Sequence, residues 1–247
     1  LDLAQEMGDG RHASTAYAAL GWAALAGDRP AEAEEHFRAS LTLLRDLKHR
    51  GLTFPRLTVA DGHLGIWAAF GEMHPTGTEQ RCWNHKIANV LNDLPKTVQR
   101  QAAERLKAMP YAEPQGECER RRDAFVRTYH KTDKKAVETL LRDGDRMVTF
   151  YSFPREHWGH IRTTNIVESP FSSVRLRTDA SRRYKRVAGA TAIIWKMLRV
   201  AEQAWRTLNA SELLPLVASG MTFKDGIALK SGHERNHLDH QPERTAA

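Results

Sequence analysis

The chain has 247 residues, 41% hydrophobic and 27% charged, which is enough for one large or two small globular domains with real cores. No apolar run approaches the roughly 18 residues of a membrane span, the opening Leu1-Asp2-Leu3-Ala4-Gln5-Glu6 has neither a basic start nor an apolar signal core, and Cys82 and Cys118 alone make no disulfide framework, so a reducing cytoplasm is the expected compartment. The net charge of +7 is uneven: residues 1–50 hold six Lys/Arg against eight Asp/Glu, whereas residues 162–199 hold nine basic side chains against Glu168 and Asp179, which suits either a polyanionic partner or a solvated helix face.

Residues 1–46 read as helix, turn, helix. Small and apolar residues recur at helical spacing through residues 16–25, Gly27-Asp28-Arg29-Pro30 breaks the pattern, and residues 31–41 resume it. With Leu20, Gly21, Ala33 and Phe37 at the matching positions, residues 1–43 resemble one tetratricopeptide hairpin, a unit that cannot bury its own face alone. The helical pattern continues to Arg50 and stops at Gly51. Residues 56–61 then predict a short buried strand, 63–73 a helix, 78–85 a second strand and 87–94 a helix, an alternation that reads as α/β. Residues 96–160 predict a charged, all-helical insertion. Helices are expected over 163–180 and 188–209, and residues 231–247 read as a flexible tail.

Two carboxylates stand out. Asp61 closes the strand-like run Arg56-Leu57-Thr58-Val59-Ala60-Asp61-Gly62, and Glu168 lies at the mouth of a basic helix in Thr163-Thr164-Asn165-Ile166-Val167-Glu168-Ser169. A carboxylate at a strand end and another on a distant basic helix suit two-metal phosphoryl transfer on nucleic acid. Each has a plainer reading: Asp61-Gly62 as a turn, and Glu168 as an acid favoured at a helix start, four residues after Thr164. Cys82 and His85 are spaced as half of a zinc site, but no second pair follows at finger spacing. Arg162, Arg175, Arg177, Arg182, Arg183, Lys185 and Arg186 are candidates for phosphate contacts, which give affinity and register rather than sequence readout. Arg175 and Arg182, seven apart, share a face if the helix runs on. Trp158 reads first as a core residue.

Several ordered motifs carry a wider resemblance. They are Asp46-Leu47-Lys48-His49-Arg50-Gly51-Leu52, Asp61-Gly62-His63-Leu64-Gly65-Ile66-Trp67, Gln80-Arg81-Cys82-Trp83-Asn84-His85-Lys86, His157-Trp158-Gly159-His160-Ile161-Arg162-Thr163-Thr164-Asn165, Val167-Glu168-Ser169, Val174-Arg175-Leu176-Arg177-Thr178 and Thr222-Phe223-Lys224-Asp225-Gly226-Ile227. From about residue 44 to 227 the chain resembles the mutator-type transposases of bacterial insertion sequences. The resemblance implies a ribonuclease-H-like α/β core with a helical insertion before the last catalytic helix. It also implies an Asp-Asp-Glu triad in which Asp61 is the second Asp and Glu168 the Glu, with Cys82 and His85 as the intervening Cys-x-x-His pair, and a DNA contact at Trp158. Two Mg2+ (or Mn2+) ions held by Asp61 and Glu168, double-stranded DNA at the element's ends and target, self-assembly on DNA, and a cytoplasmic, nucleoid-associated bacterial location are implied with it.

The family's first Asp has no strand-like counterpart among Asp2, Asp9, Asp28 and Asp46. The expected organisation is therefore a chimera: a repeat-like hairpin (1–43), an incomplete ribonuclease-H-like core (44–95), the insertion (96–160), the catalytic-Glu and C-terminal helices (161–230) and the tail (231–247). Impaired strand transfer is expected with it. The alternatives are a non-catalytic DNA-binding remnant or a protein-interaction module.

Overall fold

A computed structural model describes residues 38, 41–42, 45–46, 48–53, 55–62, 67, 70–71, 73–181, 184 and 186–229. The hairpin expected over residues 1–43, save Arg38, Leu41 and Thr42, lies outside these residues, as do Arg182, Arg183, Lys185 and the tail.

The two predicted strands form and pair. β1 (Leu57–Ala60) and β2 (Thr78–Arg81) run parallel, with Ala60 opposite Arg81. A parallel pair needs a crossover, and Trp67, Phe70, Gly71 and Met73 are helical within it, with Trp67 and Met73 buried. This is the expected α/β grammar in a helix-rich chain. The second strand is shorter than predicted. Cys82, still extended, is the N-cap position of α1 (Trp83–Asn92), whose buried Trp83, Lys86, Ile87 and Val90 follow helical spacing. The helix predicted from residue 87 therefore begins at Trp83.

Residues 96–161 are mainly helical, as the sequence predicts. α2 (Lys96–Ala108), α3 (Gln115–Tyr129) and α4 (Lys134–Leu141) are followed by short turns at Gly144–Met147 and Trp158–Ile161. Trp83, Val90, Leu106, Phe125, Phe150 and Tyr151 belong to one core that joins these helices to α1. Buried Gln80 ties the insertion to β2: its amide donates to the Met147 carbonyl at 3.2 Å, and its carbonyl accepts from the Phe150 N–H at 2.8 Å. Trp83 Nε1 donates to the same Met147 carbonyl at 2.9 Å.

Beneath the strand end lies a buried charge cluster. Lys86 Nζ is 2.8 Å from Asp143 Oδ2 and also donates to the Thr139 carbonyl, while Arg81 Nε is 3.6 Å from the same Asp143 oxygen. Burial lowers the pKa of both cations, and Asp143 opposes that shift in each.

α5 (Asn165–Ala180) and α6 (Val187–Glu202) pack on each other, and Val174 and Leu198 are their buried members. The second was predicted to reach residue 209. It ends earlier because the N–H groups of Gln203, Ala204 and Trp205 turn to carbonyls three residues back, unwinding the last turn. The Thr222–Ile227 motif is a tight hairpin of β3 (Phe223–Lys224) and β4 (Ile227–Ala228). Asp225 and Gly226 both have positive φ, as a two-residue hairpin turn requires. The hairpin clamps the insertion, with Asp225 Oδ1 accepting from the Gln115 N–H and the Gly226 N–H donating to the Tyr151 carbonyl.

Candidate active site

Parallel pairing places Asp61 and Cys82 side by side, each just past the C-terminal end of its strand. The Cys82 N–H donates to the Ala60 carbonyl at 2.7 Å, extending the ladder to the point where Asp61 leaves it. Such strand ends are where α/β sheets present ligand-binding side chains. Gly62, at φ +93°, turns the chain away, and a Cβ there would lie 2.2 Å from Arg81 Nε. The Gly62→Ala substitution therefore combines a left-handed backbone with displacement of a buried guanidinium. It is expected to cost about 1–3 kcal/mol, read as a lower urea midpoint with an unchanged slope.

Glu168 reaches the same edge from α5. Its Oε1 lies 3.7 Å from His85 Nδ1, and it is hydrogen-bonded by the hydroxyl of Thr164. That hydroxyl is also 3.2 Å from Cys82 Sγ and 3.4 Å from His85 Nδ1, and the Thr164 N–H donates to Cys82 Sγ at 3.3 Å. Asn84 Nδ2 donates to Asn165 Oδ1 at 2.8 Å, a further tie between α1 and the start of α5. Ligand atoms of Cys82, His85 and Glu168 all lie within 4.8 Å of one another.

The electrostatics bind the four segments together. His85 is held above its usual pKa, first by its hydrogen bond with Cys82 and then, against the pull of burial, by the charges of Cys82, Glu168 and Asp61. Burial pushes the Cys82 thiol up, but hydrogen bonds with His85 and Thr164 outweigh it and bring the group to about 7. One imidazole thus feels both Asp61 and Glu168, which come from opposite ends of the insertion.

The remaining candidates divide. Trp158, expected among the DNA contacts, is buried edge-on against Phe150 and Tyr151, with its Nε1 donating to the Phe153 carbonyl at 2.9 Å. Its indole is core and is not available to stack on bases. Arg162 spans the Tyr111 ring at 3.9 Å and donates to the Pro110 carbonyl at 3.0 Å, so its guanidinium is engaged in holding the insertion. Arg175, Arg177 and Arg186 are exposed. Arg175 follows Glu168 by seven residues and so shares its helix face two turns on, whereas Arg177 falls on the opposite face. Sequence reading named Thr164 only as a helix-start position. Its hydroxyl joins three candidate residues, and its place between a Cys-x-x-His pair and Glu168 was the available signal. Asp143, which anchors Arg81 and Lys86, carried no signal in the sequence.

Residues 25–207 match the family model for transposases of the Mutator family. The match reaches back into the stretch that resembles a tetratricopeptide hairpin. The chain is 43% identical over 188 residues to the transposase for insertion sequence element IST2 of Acidithiobacillus ferrooxidans, covering 76% of this chain and 64% of that protein. It is 41% identical over 188 residues to the transposase for IS6120 of Mycolicibacterium smegmatis, covering 76% and 58% respectively. The transposase for ISRM5 of Rhizobium meliloti (strain 1021) is 25% identical over 163 residues, covering 66% of this chain and 41% of that protein. The chain thus spans about three fifths of the length of the first two relatives.

Proposed function

This chain belongs to the Mutator family of transposases, and from that premise we propose that the edge shared by Asp61 and Glu168 is a metal-dependent centre for DNA cleavage and strand transfer. The observation that carries the reading is geometric: Asp61 leaves its strand beside Cys82, and Glu168 reaches the same edge, 3.7 Å from His85 Nδ1 and sharing the Thr164 hydroxyl with Cys82. The residues present fit the hard divalent ion that such chemistry uses. Asp61 and Glu168 supply carboxylate oxygens, the donors Mg2+ or Mn2+ takes, and would hold a two-metal pair. When bound, such ions offset the charge on the attacking and leaving oxygens of the phosphodiester. The rest of the work falls to the chain itself. Arg81, buried beside Asp61, supplies a fixed positive charge at the strand end. Thr164 fixes the direction of the Glu168 carboxylate. Arg175, on the Glu168 face, holds backbone phosphates of double-stranded DNA, and Arg177, on the opposite face, with Arg182, Arg183, Lys185 and Arg186 extends the same basic segment.

The parallel β1–β2 pair and its helical crossover support a ribonuclease-H-like core, and self-assembly on the element's ends goes with that reading. Among the described residues, no helix is long and apolar enough to cross a membrane.

The test is a nicking assay on DNA carrying the element's ends, in Mg2+ or Mn2+, paired with a binding assay. Asp61→Asn and Glu168→Gln should abolish nicking and leave binding intact. Binding without nicking in the native chain would favour the second reading, a non-catalytic DNA-binding remnant. That reading draws on the immediate surroundings of Glu168, whose partners among the described residues are Thr164, His85 and Cys82.

Phosphate contacts have their own signature. Arg175→Ala should weaken DNA binding about equally for all sequences and reduce the slope of log affinity against log salt by about one. An unchanged slope would remove Arg175 from the DNA face.

A further inference from the structure

We propose that Cys82 Sγ, His85 Nδ1 and Glu168 Oε1 form a binding site for one borderline-soft divalent cation of the Zn2+ class. The three atoms lie within 4.8 Å of one another, with 3.7 Å between the His85 and Glu168 atoms. A tetrahedral ion with bonds of about 2.0–2.3 Å needs edges of roughly 3.5 Å. The Glu168 side chain is 44% exposed, so its carboxylate can close that difference by turning on its hydrogen bond from Thr164, while Cys82 is fully buried and fixed. One sulfur, one imidazole nitrogen and one carboxylate oxygen are the donors Zn2+ takes, and the thiolate selects against Mg2+.

The surroundings are those of an oriented ligand set. Cys82 and His85 stand three apart at the first turn of α1, so a single helix start aims both at one point. The Thr164 N–H donates to Cys82 Sγ and steadies it, as outer partners do for metal-bound thiolates. The Thr164 hydroxyl, within reach of all three ligand atoms, or a water from the open Glu168 side completes the fourth position.

Glu168 would then serve two alternative ions. Zn2+ held with Cys82 and His85 withdraws Glu168 from Asp61, making the site an inhibitory one. This consequence, though not the binding itself, rests on the catalytic reading of Glu168.

Titration of the reduced, metal-free full chain with Co2+ tests the site directly. The expected result is a visible ligand-field spectrum with a thiolate-to-cobalt charge-transfer band, saturating at one equivalent and bleached by Zn2+. Cys82→Ser should abolish the charge-transfer band, and Cys118→Ser should leave it, because Cys118, on α3 against Tyr151, lies outside the Cys82, His85 and Glu168 group. Glu168→Gln, at a partly exposed position, should keep the fold and weaken Co2+ binding by at least about tenfold, which keeps the proposal open to refutation if Cys82→Ser does not fold. A folded native chain without the charge-transfer band, a band that survives Cys82→Ser, or unchanged affinity in Glu168→Gln would overturn it. The readout needs neither DNA nor turnover, so its failure leaves the transposase reading standing. Nicking unaffected by Glu168→Gln would sink that reading and leave the cation site in place.

Discussion

Replacing Asp143 with alanine is expected to destabilise the folded chain by about 3–5 kcal/mol, the cost of leaving buried charge without its partner. Two buried cations share this carboxylate, Lys86 at direct contact and Arg81 together with Asp61. Lys86 and Arg81 side chains are 3% and 5% exposed, and Asp143 Oδ2 lies 2.8 Å and 3.6 Å from their nitrogens. Burial already lowers the pKa of both groups; Asp143 is the main opposing charge at Lys86 and, after Asp61, the next at Arg81. Without Asp143, Lys86 must lose its proton or draw in water, and either disturbs the packing of α1 on α4.

Asp143 also has φ +86°, a backbone that alanine tolerates worse than asparagine. Asp143→Asn keeps that tolerance while deleting the charge, so it should fall between the native chain and Asp143→Ala. Lys86→Met in the Asp143→Ala background should restore part of the loss by removing one orphaned charge. Urea unfolding followed by circular dichroism measures all four proteins. An unchanged midpoint in Asp143→Ala would show that the cluster does not hold the strand end in place.

The second large effect is on chemistry. Asp61→Asn and Glu168→Gln are each expected to reduce metal-dependent nicking of end DNA on the order of 10³-fold or more, the scale for groups that act as one unit. Both replacements are isosteric and both sites are partly exposed, so folding and DNA affinity should be preserved. Loss of affinity in step with loss of nicking would mean that the carboxylates shape the DNA surface rather than the reaction.

Much of this arrangement was legible in the chain. A short apolar run ending in Asp61 gave a strand with a carboxylate at its C-terminal end, and residues 78–85 gave a second strand, whose parallel pairing the structure supplies. The charged stretch from residue 96 to 160 read as helical because its apolar positions recur without strand-like alternation, and it folds that way. Residues 78–85 misled because Cys82 and Trp83 are apolar enough to prolong a strand. Only the packing of Trp83, Lys86, Ile87 and Val90 against the insertion starts the helix at Trp83. That shift gives the Cys-x-x-His spacing its meaning, since three residues separate faces on a strand but unite them at a helix start. Trp158 and Arg162 lie in a motif shared with the family, and a motif does not distinguish a DNA contact from a residue that secures the insertion. Asp143 was invisible because its importance comes from two cations brought to it from β2 and α1 by tertiary folding.

The central claim is that Asp61 and Glu168 act together at one centre, and the double variant tests it most directly. If they serve the same reaction, nicking by Asp61→Asn/Glu168→Gln should be no lower than by either single variant, because each single change already disables the unit. Losses that multiply in the double variant, or native nicking retained in either single variant, would contradict it.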